Sequence, residues 1–214
     1  MITPRHIIYY TPIMVGGSRW VLDQMNLPSS ALRLSSGGGE REFFWGCLPF
    51  LVTPPKVVRR MLELARVGPS DVVMDLGSGD GRVLLSAVKD FGARMAIGYE
   101  LREDLIKSAH ERLESLNLQD RVMLVKGDLM DADLSEATVI FIYLTGTAND
   151  RLRFKFEEEV RPGTRIVSHD FGMEGWNPAK VESFEGHKIY LYVAPAAFER
   201  PSQRSSRWRL RFWT

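Results

Sequence analysis

A glycine-rich turn between a buried strand and a helix is the feature that most restricts the fold of this 214-residue chain. Residues 75–82 read Asp-Leu-Gly-Ser-Gly-Asp-Gly-Arg, after the apolar run 72–74 and before an apolar helical pattern over 83–91. A strand, a tight glycine turn and a helix begin a βαβ unit in which free backbone N–H groups face a ligand. The glycine spacing, one residue between each pair, differs from the dinucleotide fingerprint G-x-G-x-x-G.

The rest of the chain alternates strand-like and helix-like segments. We predict further strands at 95–99, 122–125, 137–144, 164–168 and 188–193, and helices at 57–67, 83–91, 102–116 and 151–160. Thr53 precedes Pro54 and is the predicted N-cap of the first helix. This alternation predicts an α/β fold with a parallel sheet and helices on both of its faces. Such sheets bind ligands at the carboxyl ends of their strands, near the switch in strand order.

Acidic residues stand at the ends of three successive predicted strands. Asp75 precedes the first glycine of the turn, Glu100 ends the second strand, and Asp128 follows the third. Asp75 would repel a pyrophosphate but suits an ammonium group, while Glu100 can accept hydrogen bonds from both ribose hydroxyls and Asp128 from an adenine amino group. Each acid alone also fits a helix cap or a solvated loop. All three together predict S-adenosylmethionine, which carries an ammonium, a ribose and an adenine.

Composition limits the classes of protein to which the chain can belong. Hydrophobic residues make up 44% and charged residues 26%, as in globular domains, and no apolar run reaches the length of a membrane span. Cys47 is the single cysteine, which fits a reducing compartment and a cytoplasmic protein. We expect no bound metal, because the histidines are too scattered for a short zinc-binding motif. They are His6, His110, His169 and His187.

Both ends of the chain differ from its regular part, 49–198. Residues 1–48 are broken by glycine and serine runs, and they form either an irregular extension or a mitochondrial presequence, which would make the protein mitochondrial. Residues 199–214 form a basic tail with five arginines and one acid, whereas residues 43–198 carry 19 basic and 23 acidic residues. The acidic body argues against a dedicated nucleic-acid-binding protein, although the tail could bind nucleic acid by charge and stacking.

Several segments of the regular part match a known pattern: 49–54, 57–62, 75–82, 98–100, 125–128, 162–169 and 175–178. Together they resemble the archaeal broad-specificity protein lysine methyltransferases. They are more distantly similar to the mitochondrial lysine methyltransferases that modify the adenine nucleotide translocase and an ATP synthase subunit. The resemblance implies the Rossmann-like, doubly wound, mostly parallel seven-stranded sheet of class I methyltransferases, formed by residues 49–198. Phe50 and Val52 depart from the family, which usually has Tyr and often Pro there.

The resemblance also implies S-adenosylmethionine as cofactor and proteins with exposed lysines as substrates. A sulfonium methyl group is already activated, so positioning a neutral amine in line can supply most of the catalysis. We predict an aromatic substrate mouth that lowers the lysine pKa by desolvation, with His169 accepting the proton through water. Core packing, or a structural hydrogen bond for the histidine, is the alternative for each residue. The candidate catalytic residues are Tyr143, His169, Phe171 and Trp176; the candidate cofactor-binding residues are Thr53, Asp75, Gly77, Ser78, Gly79, Gly81, Arg82, Glu100 and Asp128.

Two other enzyme classes on the same fold remain open. RNA or DNA methyltransferases that modify adenine amino groups carry Asp/Asn-Pro-Pro-aromatic after the fourth strand, where residues 143–146 read Tyr-Leu-Thr-Gly. A small-molecule methyltransferase usually has a lid over its substrate, and the sequence contains no large insertion that would form one. A non-catalytic cofactor-binding subunit is disfavoured, because all three strand-end acids are present.

Overall fold

The computed structural model describes residues 51–198. The extension 1–48, the tail 199–214 and the departure at Phe50 all lie outside the described residues. No helix within 51–198 is long and apolar enough to cross a membrane. In chain order the elements are α1 (Pro55–Leu64), β1 (Val72–Leu76), α2 (Arg82–Lys89), β2 (Met95–Glu100), α3 (Glu103–Leu116), β3 (Val122–Lys126), β4 (Val139–Ile142), α4 (Gly146–Glu159), β5 (Arg165–His169), β6 (Lys180–Phe184) and β7 (His187–Val193).

The strands of the described region form one seven-stranded sheet in the order β3-β2-β1-β4-β5-β7-β6. Strands β1 to β5 pair in parallel, and β7 is antiparallel to both of its neighbours. β1 and β4 are buried along their whole length, as central strands of a doubly wound sheet should be. The order reverses between these two strands, and ligands bind at the carboxyl end of such a switch point. The predicted fold class is therefore confirmed.

Two apolar cores cover the sheet. Neighbouring residues of β1 belong to different cores, Val73 to one and Met74 to the other, because successive side chains of a strand point to opposite faces. The first core packs α1 and α2 against the sheet through residues such as Leu84. The second packs α4 through Leu152 and Phe156. Each large side chain buried in this way contributes about 1.5–3 kcal/mol, and together they hold the strand ends in a fixed arrangement.

Most elements differ from their predicted bounds by a few residues, and two differences are larger. α4 begins at Gly146 rather than at Arg151, because the Thr145 side chain accepts a hydrogen bond from the Ala148 N–H and caps the helix there. The apolar runs of the sequence do not predict β6. It is an edge strand with three of its five residues exposed, so its sequence lacks the apolar pattern of a buried strand.

The start of α1 also differs from the prediction. Pro54, not Thr53, is the N-cap residue, and no side chain caps this helix. Proline at the first helical position stabilises the start instead, since its missing N–H would be unpaired there in any case. Thr53 is buried, and its hydroxyl oxygen lies 3.2 Å from Nδ1 of His169 at the end of β5. The prediction of a Thr53 cap was therefore wrong.

Candidate active site

A pocket with about 880 Å³ of empty space lies at the carboxyl ends of β1, β2 and β4. We call it the strand-end pocket. It lies at the switch in strand order, where sheets of this kind bind their ligands. Of the predicted cofactor-binding residues, those that line it are Thr53, Asp75, Gly77, Ser78, Arg82 and Glu100.

Backbone hydrogen bonds hold the glycine turn against β2. The N–H groups of Gly77 and Ser78 both donate to the Tyr99 carbonyl, each at 2.9 Å. Gly79 N–H donates to Oε2 of Glu100 at 2.8 Å. Gly81 begins α2 with a φ of +75°, which glycine adopts without the steric cost that a Cβ would bring. The turn therefore has one fixed shape, set by the strand beside it.

Gly98 allows this close approach of turn and strand. A Cβ at this position would lie 2.5 Å from Cδ1 of Leu84 and 2.6 Å from Oγ of Ser78, both closer than van der Waals contact. Gly98 pairs with Asp75 in the sheet, so it sits directly beside the strand end that leads into the turn. The wall of the strand-end pocket thus depends on a residue that does not itself line the pocket.

Glu100 connects the turn with the start of α3. Its Oε1 accepts hydrogen bonds from the N–H groups of Leu101 and Arg102, at 2.8 and 2.9 Å. Its Oε2 accepts from Gly79. These donors fix the direction of the carboxylate at the end of β2, where the sequence predicts a ribose contact. The three backbone donors hold the carboxylate in one orientation, as specific binding of two hydroxyl groups requires.

Asp75 is buried at the base of the pocket. Burial raises the pKa of its carboxyl group well above the usual range, and the negative charges of Glu100 and Asp80 raise it further. Among residues 51–198, no group donates a hydrogen bond to this carboxyl. A buried carboxylate without a partner is unstable, and a cationic group placed against it would relieve that cost. This observation fits the ammonium of S-adenosylmethionine and does not fit a phosphate.

Asp80 is a pocket-lining acid that the sequence analysis did not select, and its charge is neutralised locally. Arg82 donates to both of its carboxylate oxygens, at 2.9 and 2.7 Å, and Arg112 of α3 donates at 2.8 Å. Burial opposes ionisation, but the hydrogen bonds and charges of the two arginines outweigh it and lower the pKa of Asp80. Arg82 also donates to the Thr53 carbonyl at 2.8 Å. Arg82 therefore ties the turn to the segment before α1.

Three of the predicted cofactor-binding residues do not line the strand-end pocket. Gly79 and Gly81 shape the turn through their backbones. Asp128 caps a short 3₁₀ helix, since its side chain accepts a hydrogen bond from the Met130 N–H at 2.8 Å. Gly127 and Leu129 on either side of Asp128 do line the pocket, so this loop is at the site. The adenine contact of Asp128 stays a prediction.

Apolar and aromatic walls complete the pocket and were also missed. Tyr99 and Leu101 flank Glu100, and Leu105 of α3 lies beyond them. They provide the apolar surface that a flat base requires. Tyr99 and Leu101 are the sequence neighbours of Glu100. A predicted ligand contact at Glu100 could therefore have indicated both of them.

Tyr143 is the one candidate catalytic residue that lines the strand-end pocket. Its hydroxyl donates to Oδ2 of Asp170 at 3.2 Å, and its ring lies 3.9 Å from the ring of His169, centre to centre. Burial raises the pKa of Tyr143, and the neighbouring Asp170 raises it further. The phenol is therefore protonated at neutral pH and acts as a donor. A role for Tyr143 in contacting a substrate stays a prediction.

His169 lies behind Tyr143, where the sequence predicts a proton acceptor. Its side chain is fully buried. Burial lowers its pKa, the charge of Asp170 opposes that shift, and His187 adds to it. Nδ1 lies 3.2 Å from the Thr53 hydroxyl and Nε2 lies 3.0 Å from Nδ1 of His187. Both ring nitrogens thus contact protein groups, so His169 could accept a proton only by way of these groups. Its role as proton acceptor stays a prediction.

Trp176 and Phe171 do not line the strand-end pocket. Trp176 is buried in the second core, where its ring packs on Phe156, Tyr192 and Phe198, and its indole N–H donates to Glu157 at 2.8 Å. Core packing satisfies both its apolar ring and its polar atom, as the alternative interpretation expects, and a role in the substrate mouth stays a prediction. Phe171 does not line the strand-end pocket either; its carbonyl accepts hydrogen bonds from Asn149 and Ser168.

Comparisons with known proteins agree with this geometry. The model of the ANTKMT methyltransferase domain family matches residues 75–180. A protein-lysine N-methyltransferase of Saccharolobus islandicus (strain REY15A) is 45% identical over 150 residues, which cover 68% of this chain and 93% of the relative. The adenine nucleotide translocase lysine N-methyltransferase of Mus musculus is 30% identical, and the match covers 68% of this chain and 62% of that protein.

A solved structure extends the comparison to a bound ligand. The RNA methyltransferase from Salinibacter ruber, in complex with S-adenosyl-L-homocysteine, is 43% identical and superposes with a TM-score of 0.67. The match covers 71% of this chain and 97% of that one. The demethylated form of S-adenosylmethionine is thus the ligand of a relative on the same fold.

Proposed function

The chain belongs to the family of S-adenosylmethionine-dependent protein-lysine N-methyltransferases, and we propose that it transfers the methyl group to the ε-amine of lysine side chains exposed on other proteins. The observation that carries the choice of lysine is the likeness to the Saccharolobus islandicus enzyme, which extends over 93% of that enzyme's length. The strand-end pocket supplies physical support for the cofactor, because Asp75 is buried without a donor among the described residues and S-adenosylmethionine carries an ammonium group.

Different residues of the strand-end pocket would bind different groups of the cofactor. When bound, S-adenosylmethionine supplies a methyl group that its sulfonium already activates. Asp75 would receive the ammonium group, which compensates a buried carboxyl that lacks a partner. Glu100 would accept hydrogen bonds from ribose hydroxyls with the lone pairs that its backbone donors leave free. The glycine turn lets the ligand lie against bare backbone.

The substrate side of the pocket has to position a neutral amine. A lysine side chain has a pKa of about 10.4 in water, so it must lose a proton before it attacks. The Tyr143 ring is a half-buried aromatic wall that would desolvate the incoming amine and so favour its neutral form. Because Tyr143 itself is protonated, the lysine proton leaves to water rather than to this phenol. Positioning then supplies most of the rate.

RNA methylation is the second candidate, and one observation favours it. The Salinibacter ruber relative, at 43% identity, is named an RNA methyltransferase. Two features of this chain oppose it. The end of β4 carries Tyr143-Leu-Thr-Gly rather than a Pro-Pro-aromatic motif, and residues 43–198 carry 23 acidic against 19 basic residues. An acidic surface repels phosphate and attracts lysine-rich segments, the more so at low salt.

Transfer of a labelled methyl group separates the two candidates. The purified protein is incubated with a cell extract and S-adenosylmethionine labelled on the methyl carbon, and portions are then treated with protease or with nuclease. We expect the label in large molecules to be released by protease and to resist nuclease. Release by nuclease alone would show that RNA is the substrate, and would leave the family and the cofactor unchanged.

A further inference from the structure

The end of β5 and the start of β7 bring together two imidazoles and a carboxylate beside the strand-end pocket. The residues are His169, Asp170 and His187, and we call them the His-Asp-His cluster. His169 Nε2 lies 3.0 Å from His187 Nδ1, His187 Nδ1 lies 3.0 Å from Asp170 Oδ2, and the third side of the triangle is 3.4 Å. The three possible ligand atoms therefore lie within 3.4 Å of one another.

We propose that the His-Asp-His cluster binds one divalent transition-metal ion of the zinc class. Around an ion with bonds of about 2.1 Å, neighbouring ligand atoms are separated by about 3.0 Å in an octahedron and about 3.4 Å in a tetrahedron. The three observed separations fall at these values. Two imidazoles with one carboxylate favour zinc, iron or a similar metal over magnesium and calcium, which prefer oxygen ligands alone.

The polar contacts of the cluster explain why an ion would bind better than a proton. His169 Nδ1 faces the Thr53 hydroxyl at 3.2 Å, and a ring that donates there has its lone pair on Nε2, directed into the cluster. His187 Nδ1 is within hydrogen-bond distance of both His169 and Asp170, so its single N–H has to serve two acceptors. A divalent ion replaces this shared proton, which goes to solvent, and contacts all three atoms at once.

Groups around the cluster hold its carboxylate in place. Tyr143 O–H donates to Oδ2 of Asp170, and Lys188 N–H donates to Oδ1 at 2.9 Å. Asp170 has a φ of +60°, in the left-handed region that aspartate tolerates better than most residues, and its own N–H donates to the Lys188 carbonyl at 2.7 Å. Such outer contacts are typical of metal sites, because they orient the ligands.

The cluster is open on one side. The His169 side chain is fully buried, but Asp170 and His187 keep 26% and 27% of their side-chain surface exposed. An ion can therefore enter from solvent, and water can complete its coordination. The proposal replaces the expectation that no metal is bound, which considered only short spacings; the antiparallel pairing of β5 and β7 brings together two histidines that are distant in sequence.

Titration with zinc alone tests the proposal on the full chain. The protein is treated with EDTA, dialysed and titrated with ZnCl2 in a calorimeter, and Co2+ is added in parallel because its visible absorption reports imidazole and carboxylate ligands. We expect one equivalent to bind, and the affinity to fall at least about tenfold in His187→Ala and in Asp170→Asn. His110→Ala, an exposed histidine on α3, is the matched control and should bind as the parent does.

Thermal unfolding distinguishes loss of the site from loss of the fold. Zinc should raise the unfolding temperature of the parent and of His110→Ala, but not that of His187→Ala, whose partly exposed side chain can be removed without opening the core. The proposal is overturned if the parent binds no zinc, or if both cluster variants bind it with the parent's affinity and stoichiometry, since the ion would then be adventitious and bound elsewhere.

Discussion

Asp75, Asp80 and Glu100 have different environments within one pocket, and the difference assigns their roles. Asp80 is paired with two arginines, and Glu100 accepts three backbone hydrogen bonds. Asp75 alone is buried with a raised pKa and no donor among the described residues. The first two therefore maintain the shape of the turn, while the third is destabilising until a cation binds. A site that is unstable when empty is a common property of functional residues.

Replacing Asp75 by Asn should stabilise the protein without ligand and weaken its binding of S-adenosylmethionine. The amide keeps the shape of the carboxyl but removes the buried charge. Because folding raises the pKa of Asp75, the parent binds its proton more tightly when folded, so its stability is full below about pH 4 and declines as pH rises through the raised value. Denaturant unfolding should therefore show that Asp75→Asn exceeds the parent at neutral pH, with a difference that vanishes near pH 4.

Calorimetry measures the second half of this prediction. Loss of a hydrogen bond to a charged group costs about 1.5–3 kcal/mol, so Asp75→Asn should bind S-adenosylmethionine roughly 10- to 100-fold more weakly. A variant that binds as the parent does would show that the ammonium contacts another group. A variant less stable than the parent at neutral pH would show that the Asp75 charge is compensated.

Glu100→Ala should weaken cofactor binding by a similar factor, roughly 10- to 100-fold, because it removes the predicted ribose contact and the acceptor of the Gly79 N–H. Glu103→Ala is the matched control, since this exposed acid pairs only with Lys126 at the surface among the contacts described. Calorimetry at a temperature where both variants are folded gives the comparison. Equal affinities in the parent and in Glu100→Ala would remove Glu100 from the binding site.

The methylation rate should rise with pH because only a neutral lysine attacks. Below the lysine pKa the neutral fraction increases about tenfold per pH unit, and the Tyr143 phenol, whose pKa is raised, does not lose its proton in the same range. Initial rates with saturating cofactor, measured on a small lysine-rich protein from about pH 7 to pH 9, test this. A rate independent of pH would indicate that deprotonation precedes binding or that another step limits turnover.

Among elements, the contact between β2 and the glycine turn is the most sensitive to substitution. Gly98→Ala places a methyl group 2.5–2.7 Å from side-chain atoms of Leu84 and Ser78, so the turn or α2 must move. We expect a loss of stability of about 1–3 kcal/mol, the usual cost of overpacking, together with weaker cofactor binding. Chemical denaturation and calorimetry measure the two effects.

Gly146→Ala is the control for that experiment. An added Cβ there meets nothing within 4 Å, and the residue is the first of α4, so alanine should leave stability unchanged or raise it by about 0.5–1 kcal/mol. If both glycine variants behaved alike, the contact between turn and strand would not be as close as the structure shows.

Sequence patterns predicted the fully buried strands β1 and β4 and the glycine turn, whose spacing is distinctive. They missed two features whose signals lie outside the apolar pattern. β6 is an exposed edge strand, and the first turn of α4 contains Asn149, which is polar yet buried because it donates to the carbonyl of Phe171. Partners of that kind are distant in sequence, and the pattern of apolar residues does not contain them.

Contacts between residues distant in sequence also limited the prediction of the candidate active site. Acids at strand ends could be predicted because the sheet brings strand ends to one edge. Trp176 could not be placed, since an aromatic residue next to a glycine turn fits the core and a pocket equally, and only the packing of Phe156 and Tyr192 decides. The approach of His187 to His169 depends on the antiparallel register of β7 with β5, which the sequence does not specify.

In the molecule as a whole, one edge of the sheet carries both the strand-end pocket and the His-Asp-His cluster. β1 and β2 supply the acids of the strand-end pocket, β4 supplies Tyr143, and β5 with β7 supplies the His-Asp-His cluster. Tyr143 lines the pocket and donates to Asp170, so it connects the two sites. The strand order thus places the predicted cofactor-binding acids, Tyr143 and the His-Asp-His cluster one after another along this edge.

Mass spectrometry can map the methyl groups that the enzyme transfers to protein lysines. A cell extract is incubated with the enzyme and with S-adenosylmethionine carrying a deuterated methyl group, and both tryptic peptides and RNA nucleosides are analysed, with Glu100→Ala as the control enzyme. We predict deuterated methyl groups on lysine side chains of several proteins, and far fewer with the variant. Deuterated methyl groups on RNA nucleosides, or on arginine or histidine but not on lysine, would contradict the account.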